Sequence, residues 1–132
     1  MLKTKRRKWW PAAILMSLFL SMSIGIAFAA DYRPLVGRWQ RTDGGYVIDI
    51  RRVGSDGAME ANYYNPRPIN VANAAASVYK DHLKVDLELR DIGYPGSTYT
   101  LLYDPEKDLL LGYYFQAVQR QNFDVVFVRL NR

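Results

Sequence analysis

Cysteine is absent from the 132-residue sequence, and histidine occurs only once, at His82. Without cysteine no disulfide can form, so packing and backbone hydrogen bonds must stabilise the fold even in an oxidising compartment. The single histidine falls in a predicted tight turn, which excludes a Ser-His-Asp triad built elsewhere in the domain.

Other elements of catalytic and cofactor chemistry are missing as well. The sequence has no glycine-rich phosphate loop. The carboxylates of DPEKD (104–108) lack the spacing of a calcium loop and are typical of a proline-containing type I turn. Asp49, Asp86 and Glu88 fall on predicted outward faces, so no inward acid–base pair is evident. The sequence therefore predicts no enzyme activity, no metal and no cofactor.

Acidic residues are lacking from the first thirty positions, whereas five basic residues lie between Lys3 and Lys8. A mostly apolar, uncharged run follows to Ala30, and small residues at Ala27 and Ala29 form an A-x-A cleavage pattern. This order predicts a helical signal peptide over residues 1–29, a domain over residues 30–132, and export to the periplasm or the extracellular space. An uncleaved membrane anchor is the alternative, because roughly 18 apolar residues can span a bilayer.

The leader also accounts for the basic character of the chain. The whole sequence has 18 Lys and Arg against 13 Asp and Glu, and with the five basic residues of the leader set aside the domain has 13 of each sign. A nucleic-acid partner would require a basic patch on the domain. The sequence therefore excludes nucleic acid as a partner.

A helical apolar stripe of a dozen residues is nowhere present after Leu35, and short alternating runs take its place. The clearest is LKVDLELR (83–90), in which four apolar residues alternate with four charged ones, as in a half-buried strand. A helical turn remains an alternative for residues 71–76, because alanines suit a helix. The predicted strands are Val36–Thr42, Tyr46–Val53, Ala58–Asn65, Ala75–Lys80, Leu83–Asp91, Thr98–Asp104, Leu109–Val118 and Phe123–Leu130.

Short connections between these strands favour an antiparallel meander, since parallel pairing would need crossovers of about a dozen residues. Closure of the meander removes both exposed edges, so the predicted fold is all-β, an eight-stranded antiparallel up-and-down barrel. An open sandwich is the alternative. One end of this barrel collects the longer connections, which are TDGG (42–45), NPRPINVAN (65–73), DIGYPGS (91–97) and QAVQRQN (116–122). Binding residues concentrate on such loops.

At the opposite end of the barrel, the sequence predicts a structural plug made of Trp39 and Arg129. Trp39 is early in the first strand and Arg129 late in the eighth, and these strands are neighbours if the barrel closes. A guanidinium over an indole face gains about 0.5 to 2 kcal/mol. A contact of Trp39 with a ligand is the alternative.

Gly37-x-Trp39, Arg129 and the eight-strand pattern together resemble the calycin group, the lipocalins and avidins. Similarity to the avidins extends through Leu35-Val36-Gly37-Arg38-Trp39, Gly44-Gly45, Asp56-Gly57, Tyr63 and the patch Leu111-Gly112-Tyr113-Tyr114. The resemblance implies a barrel fold more than an activity. Arg41 and Gly45 stand where avidins carry an Asn and a Ser that contact biotin, so biotin is not the expected ligand. NPRPIN (65–70) and the segment from Tyr94 to Pro105 are similar to a family of small exported bacterial proteins, and that likeness implies no activity.

Period two from Trp39 places Arg41 on the inner face, nearer the rim with the longer loops. The other residues predicted to face inward are Tyr46, Ile48, Ile50, Met59, Ala61, Tyr63, Asn65, Leu83, Val85, Leu87, Leu89, Tyr99, Leu101, Tyr103, Leu109, Leu111, Tyr113, Phe115, Ala117, Phe123, Val125 and Phe127. Many are tyrosines, which bring apolar area and a hydroxyl that needs a partner when buried. Two interpretations stay open: the rings fill the lumen, or they line a small cavity.

The function predicted from this pattern is non-catalytic binding of a small molecule, of unknown identity, at the rim with the longer loops. The residues predicted to bind it are Arg41, Asp43, Tyr63, Asn65, Arg67, Tyr94, Tyr99, Tyr113 and Arg120. The alternative is a periplasmic protein-interaction module, such as a barrel-type protease inhibitor.

The eighth predicted strand, FDVVFVRL (123–130), is apolar on both faces. The outer side is predicted to show Val126, Val128 and Leu130, joined by Tyr64, Leu102, Leu110 and Tyr114. An exposed apolar band of this kind favours association. A homo-oligomer formed through the outer wall is therefore expected, unless residues 30–35 fold back over the band.

Overall fold

The computed structural model describes residues 3, 25 and 29–130, and the predicted signal peptide lies almost entirely outside the described residues. The described chain is all-β, and its strands form one antiparallel sheet that is nearly closed into a barrel. A 3₁₀ helix at Arg33–Leu35 precedes β1 (Gly37–Arg41), β2 (Val47–Val53), β3 (Met59–Tyr64), β4 (Pro68–Ile69), β5 (Val71–Tyr79), β6 (His82–Asp91), β7 (Tyr94–Asp104), β8 (Leu109–Gln116) and β9 (Gln121–Leu130). No helix in the part of the chain that the structure describes is long and apolar enough to cross a membrane.

Where apolar and charged residues alternate in the sequence, the apolar residues are the buried ones in the strand. In β6, Val85, Leu87 and Leu89 are fully buried, whereas the charged residues between them lie on the outer wall. Residues 71–76 belong to β5, so the strand and not the helical turn is correct there. Each of the eight predicted strands is present, but the described chain has nine, because Pro68–Ile69 forms a short strand against the end of β3.

The first and last strands pair, as the barrel prediction requires. The order across the sheet is β4-β3-β2-β1-β9-β8-β7-β6-β5, with Trp39 opposite Arg129. The remaining seam lies between β3 and β5, where a single bridge joins Ala58 to Ala75. The Ala76 amide also donates to the Gly57 carbonyl at 2.8 Å.

The floor of the barrel is the predicted plug. The indole of Trp39 is fully buried and donates to the Leu35 carbonyl at 2.9 Å. The Arg129 guanidinium lies 4.2 Å from the indole centroid. Arg129 also donates from Nε to Asp108 at 2.8 Å and from Nη1 to the Val36 carbonyl at 2.7 Å. Because Arg129 bonds both the turn before β8 and the segment before β1, it joins the first and last parts of the domain at the floor.

The loops at the opposite rim are shorter than predicted. Only Ile92 and Gly93 separate β6 from β7, and β4 and β5 occupy most of the predicted loop 65–73. The glycines that predicted a loop instead serve a tight turn and a bulge. Gly93 has φ of +81° in the turn. Gly96, with φ of +91°, is the extra residue where pairing shifts between Leu89 and Arg90.

The side-chain direction predicted for β8 is wrong. Leu110 and Tyr114 are buried inside the barrel, whereas Leu111 and Tyr113 are 40% and 58% exposed on the outer wall. LLLGYYF (109–115) is apolar on both faces, so alternation carried no information about direction. The strand next to it fixes the outcome, since Gly112 pairs with both Leu101 and Val125, which face inward.

The direction predicted for β9 holds for Val125 and Phe127, which are buried, but Phe123 at the rim is 40% exposed. The core contains tyrosine rings of β3, β7 and β8, and aliphatic side chains of β2 and β6 pack among them.

Candidate functional site

Arg41 is the centre of the rim site. Its position on the inner face of β1 buries the side chain, which is only 8% exposed. Nε and Nη2 donate to the two carboxylate oxygens of Asp43 at 2.7 and 2.6 Å, and Nη1 donates to the Tyr99 hydroxyl at 3.0 Å. The ring of Tyr46 lies 4.2 Å from the guanidinium and the ring of Tyr114 lies 5.5 Å from it. A planar cation is thus held at its edge by a carboxylate and flanked by aromatic rings.

A cluster of tyrosines lies directly beneath Arg41. The hydroxyls of Tyr63 and Tyr99 are 2.8 Å apart. Tyr99 stacks on Tyr114 with centroids 4.6 Å apart, and its edge meets Phe127 at 5.3 Å. Among the described residues, no buried side-chain nitrogen or oxygen lacks a hydrogen-bond partner. The tyrosines satisfy one another and Arg41, which agrees with the interpretation that rings fill the lumen.

Burial sets the acid–base behaviour of this cluster. Desolvation raises the pKa of Tyr99 to about 12, although hydrogen bonds from Tyr63 and Arg41 oppose the shift. Desolvation also raises the pKa of Tyr63 and that of Tyr114. These phenols are therefore neutral at pH 7.

In the ion pair at the mouth, the pKa values of Arg41 and Asp43 both shift in the direction that favours the charged form. Desolvation opposes the charge of Arg41, but hydrogen bonds with Asp43 and Tyr99 outweigh it and raise the pKa of Arg41 above its ordinary value. The hydrogen bond from Arg41 lowers the pKa of Asp43. Both groups carry full charge at neutral pH.

A second polar pair borders the cluster. Asn65, just after β3, donates from Nδ2 to the Tyr94 hydroxyl at 2.6 Å. The edge of Tyr94 lies against Tyr63, with 6.4 Å between centroids. Both residues are half-buried, so they form one side of the mouth.

The structure gathers most of the predicted binding residues and leaves three outside. Arg41, Asp43, Tyr63, Asn65, Tyr94 and Tyr99 form one connected group. Arg67 and Arg120 are exposed on the rim turns and make no hydrogen bond or ion pair with this group. Tyr113 lies on the outer wall, so its predicted place in the site is wrong.

Two residues of the site were missed by the prediction. Tyr114 occupies the inner position assigned to Tyr113, and the two-faced apolar pattern of β8 hid it. Ser97 is 1% exposed and accepts a hydrogen bond from the Ala117 amide at 3.1 Å, which fixes the last rim turn. Its neighbours in YPGS (94–97) were assigned to a loop, which concealed its inward direction.

The arrangement can hold a planar anion beside a cation and two rings. Within residues 29–130, no group of three or more His, Cys, Asp and Glu side chains is placed to hold a metal ion. Comparison of the chain with protein-family models, with curated proteins and with solved structures finds no match.

Proposed function

We propose that this protein is a non-catalytic binding protein that holds a small carboxylic acid at the open rim of its barrel. The observation that carries this proposal is the grip of Arg41 on both oxygens of Asp43. Paired N–H groups of a guanidinium match the two oxygens of a carboxylate, and such charge-assisted pairs are among the strongest hydrogen bonds in proteins. The carboxylate of Asp43 occupies the place that we assign to the ligand.

The exposed fractions of the two side chains indicate that a ligand would displace Asp43, whereas Arg41 would stay in place. The Asp43 side chain is 55% exposed, against 8% for Arg41. Asp43 lies in a rim turn with Gly44 and Gly45. Its exposed carboxylate is therefore the group that we expect a ligand to displace, while Arg41 stays fixed by Tyr99 and its flanking rings. A ligand carboxylate would keep Arg41 paired, so the buried cation is never left alone.

The surroundings favour an acid with a flat apolar part. Tyr46 and Tyr94 offer rings at the mouth, and the Asn65 amide adds a polar group beside them. Because the tyrosines beneath Arg41 fill the lumen, the ligand would lie across the mouth and not within the barrel. Arg67 and Arg120 on the neighbouring turns would add a positive field that attracts acids.

Benzoate is the probe that tests this proposal, with neutral benzamide as its isostere. Titration followed by NMR or calorimetry should show binding of benzoate and none of benzamide. Asp43→Asn removes the competing carboxylate, so we expect benzoate to bind this variant about ten-fold more tightly than the wild type. Arg41→Lys loses the bidentate geometry and should abolish binding.

The chain offers a matched control in Asp31 and Arg33, a second carboxylate–guanidinium pair two residues apart. Asp31 accepts hydrogen bonds from Arg33 at 2.9 and 2.8 Å, but both side chains are exposed at the floor end. Asp31→Asn should leave benzoate binding unchanged. An equal gain in Asp31→Asn, or no binding to either the wild type or Asp43→Asn, would contradict the proposal.

Export, the calycin resemblance and the absence of catalysis belong to the same proposal. The leader sequence supports action outside the cytoplasm, and the pairing of first and last strands is compatible with a calycin-like barrel. The neutral, mutually bonded tyrosines offer no group poised to act as a base at pH 7. A protein-interaction module is the second candidate, and the exposed apolar residues of the outer wall favour a contact there, not at the loops that a barrel-type inhibitor would use.

A further inference from the structure

The outer wall of the barrel carries a groove of about 600 Å³ that runs across β6, β7, β8 and β9. Its floor consists of Leu102, Leu111 and Val126, which are direct neighbours on three adjacent strands. Gly112 lines the groove between the exposed side chains of Leu111 and Tyr113. An apolar floor with large exposed residues around it is typical of a surface that associates.

The two sides of the groove have matching chemistry with opposite charge. Tyr79 and Lys84 stand on the side of β5 and β6, and Tyr113 and Asp124 on the side of β8 and β9. The two rings are 49% and 58% exposed. Each side thus presents one tyrosine and one charged residue.

The charged residues on the two sides differ in whether they have an ion-pair partner within the chain. Lys84 has a partner on its own strand, since its Nζ lies 3.4 Å from Asp86. Asp124 is exposed and makes no ion pair or hydrogen bond with another residue of the described chain. The acidic side of the groove therefore lacks a cation.

We propose that this groove is the face through which two copies of the chain form a symmetric dimer. A two-fold axis along the groove lays the Tyr79 and Lys84 side of one copy over the Tyr113 and Asp124 side of the other. Two-fold symmetry repeats each contact. One pair of positions then gives two ion pairs between Lys84 and Asp124, two contacts between tyrosines, and burial of both apolar floors. A partner of a single charge would satisfy only one side.

Charge reversal tests the dimer without disturbing the core. The complete chain is expressed and the purified protein is examined by sedimentation equilibrium, with circular dichroism to check folding. The wild type should sediment with twice the mass of one chain. Lys84→Glu and Asp124→Lys each place like charges together, so each should weaken dimerisation by at least about ten-fold.

Mixing the two variants supplies the decisive comparison. In a dimer of one Lys84→Glu chain and one Asp124→Lys chain, both charge pairs are again opposite, so association should return. Lys107→Glu changes an exposed lysine outside the groove and should leave the wild-type dimer intact. The proposal is overturned if the wild type is a monomer, if neither charge reversal weakens its dimer, or if the mixture stays monomeric. Capture of a different protein by a monomeric wild type would assign the groove to a heterologous partner instead.

Discussion

At the scale of single residues, the rim is governed by how buried polar groups find partners. Tyr63, Tyr99 and Arg41 form a hydrogen-bonded chain from the core to the mouth. Period two placed all three on the inner face, because one period holds throughout a strand. It could not show that their hydroxyls and guanidinium bond to one another, since they come from three strands distant in sequence. That meeting required the closed sheet.

The buried phenols predict a loss of stability in alkali. Desolvation raises the pKa of Tyr63 and takes that of Tyr99 to about 12. The unfolded chain then releases these protons at lower pH than the folded one, so the contribution is fully present below about pH 10 and is lost as pH rises through the raised pKa values. Each such phenol steepens the fall in the free energy of unfolding by up to about 1.4 kcal/mol per pH unit.

Tyr63→Phe should therefore make the fall in stability between about pH 10 and 12 shallower. Tyr64→Phe is the matched control, because Tyr64 lies outside the proposed dimer face and its hydroxyl makes no hydrogen bond in the described chain, and it should keep the wild-type slope. Urea denaturation at several pH values measures both slopes. Identical slopes for wild type and Tyr63→Phe would contradict the prediction.

At the scale of elements, alternation located the strands but did not always orient them. β6 alternates apolar with charged residues, and its inner and outer faces were predicted correctly. β8 is apolar on both faces, and its direction was predicted wrongly for Tyr113 and Tyr114. Only a neighbour of known direction fixes such a strand, since pairing transmits the side of the sheet from one strand to the next.

The absence of a side chain at Gly112 permits the close approach of β7 and β8. A Cβ at this position would overlap the carbonyl oxygen of Thr100 on β7. Gly112→Ala should therefore force the strands apart and lower the free energy of unfolding by about 1–3 kcal/mol. Gly45→Ala, where a Cβ meets nothing within 4 Å, should change stability by less than about 0.5 kcal/mol. Urea denaturation compares the two variants, and equal effects would mean that the strand approach is not what Gly112 provides.

At the scale of the whole molecule, the barrel is held unevenly around its circumference. β1 and β9 pair along four positions from Arg38 to Arg41. The plug of Trp39 and Arg129 supports the same junction from below. The seam between β3 and β5 has one bridge, at Ala58 and Ala75. Pro66 and Pro68 lie where the chain turns from β3 toward β5, and proline has no N–H to extend a ladder.

Hydrogen exchange should reveal this seam as the first part of the barrel to open. Amides of β1 and β9 that bond across their junction should exchange most slowly. Amides of β5 that do not pair with β6 should exchange much faster, except that of Ala76, which bonds to Gly57. Native-state exchange followed by NMR measures each amide separately. Uniform protection around the barrel would show that the seam is as tightly closed as the other junctions.

The sequence by itself determined the all-β class of fold, the approximate positions of eight of the nine described strands and the meeting of Trp39 with Arg129. The strands follow from the period of apolar residues, which is a local property of each segment. The meeting of Trp39 with Arg129 follows from the pairing of first and last strands, which is a property of the strand order. Tertiary structure alone decided the direction of β8, the conversion of predicted rim loops into β4 and long hairpins, and the grip of Arg41 on Asp43 above the tyrosines. The reason is that an apolar residue gains from burial on either face, so only its neighbours in space choose the face and place each polar group beside a partner.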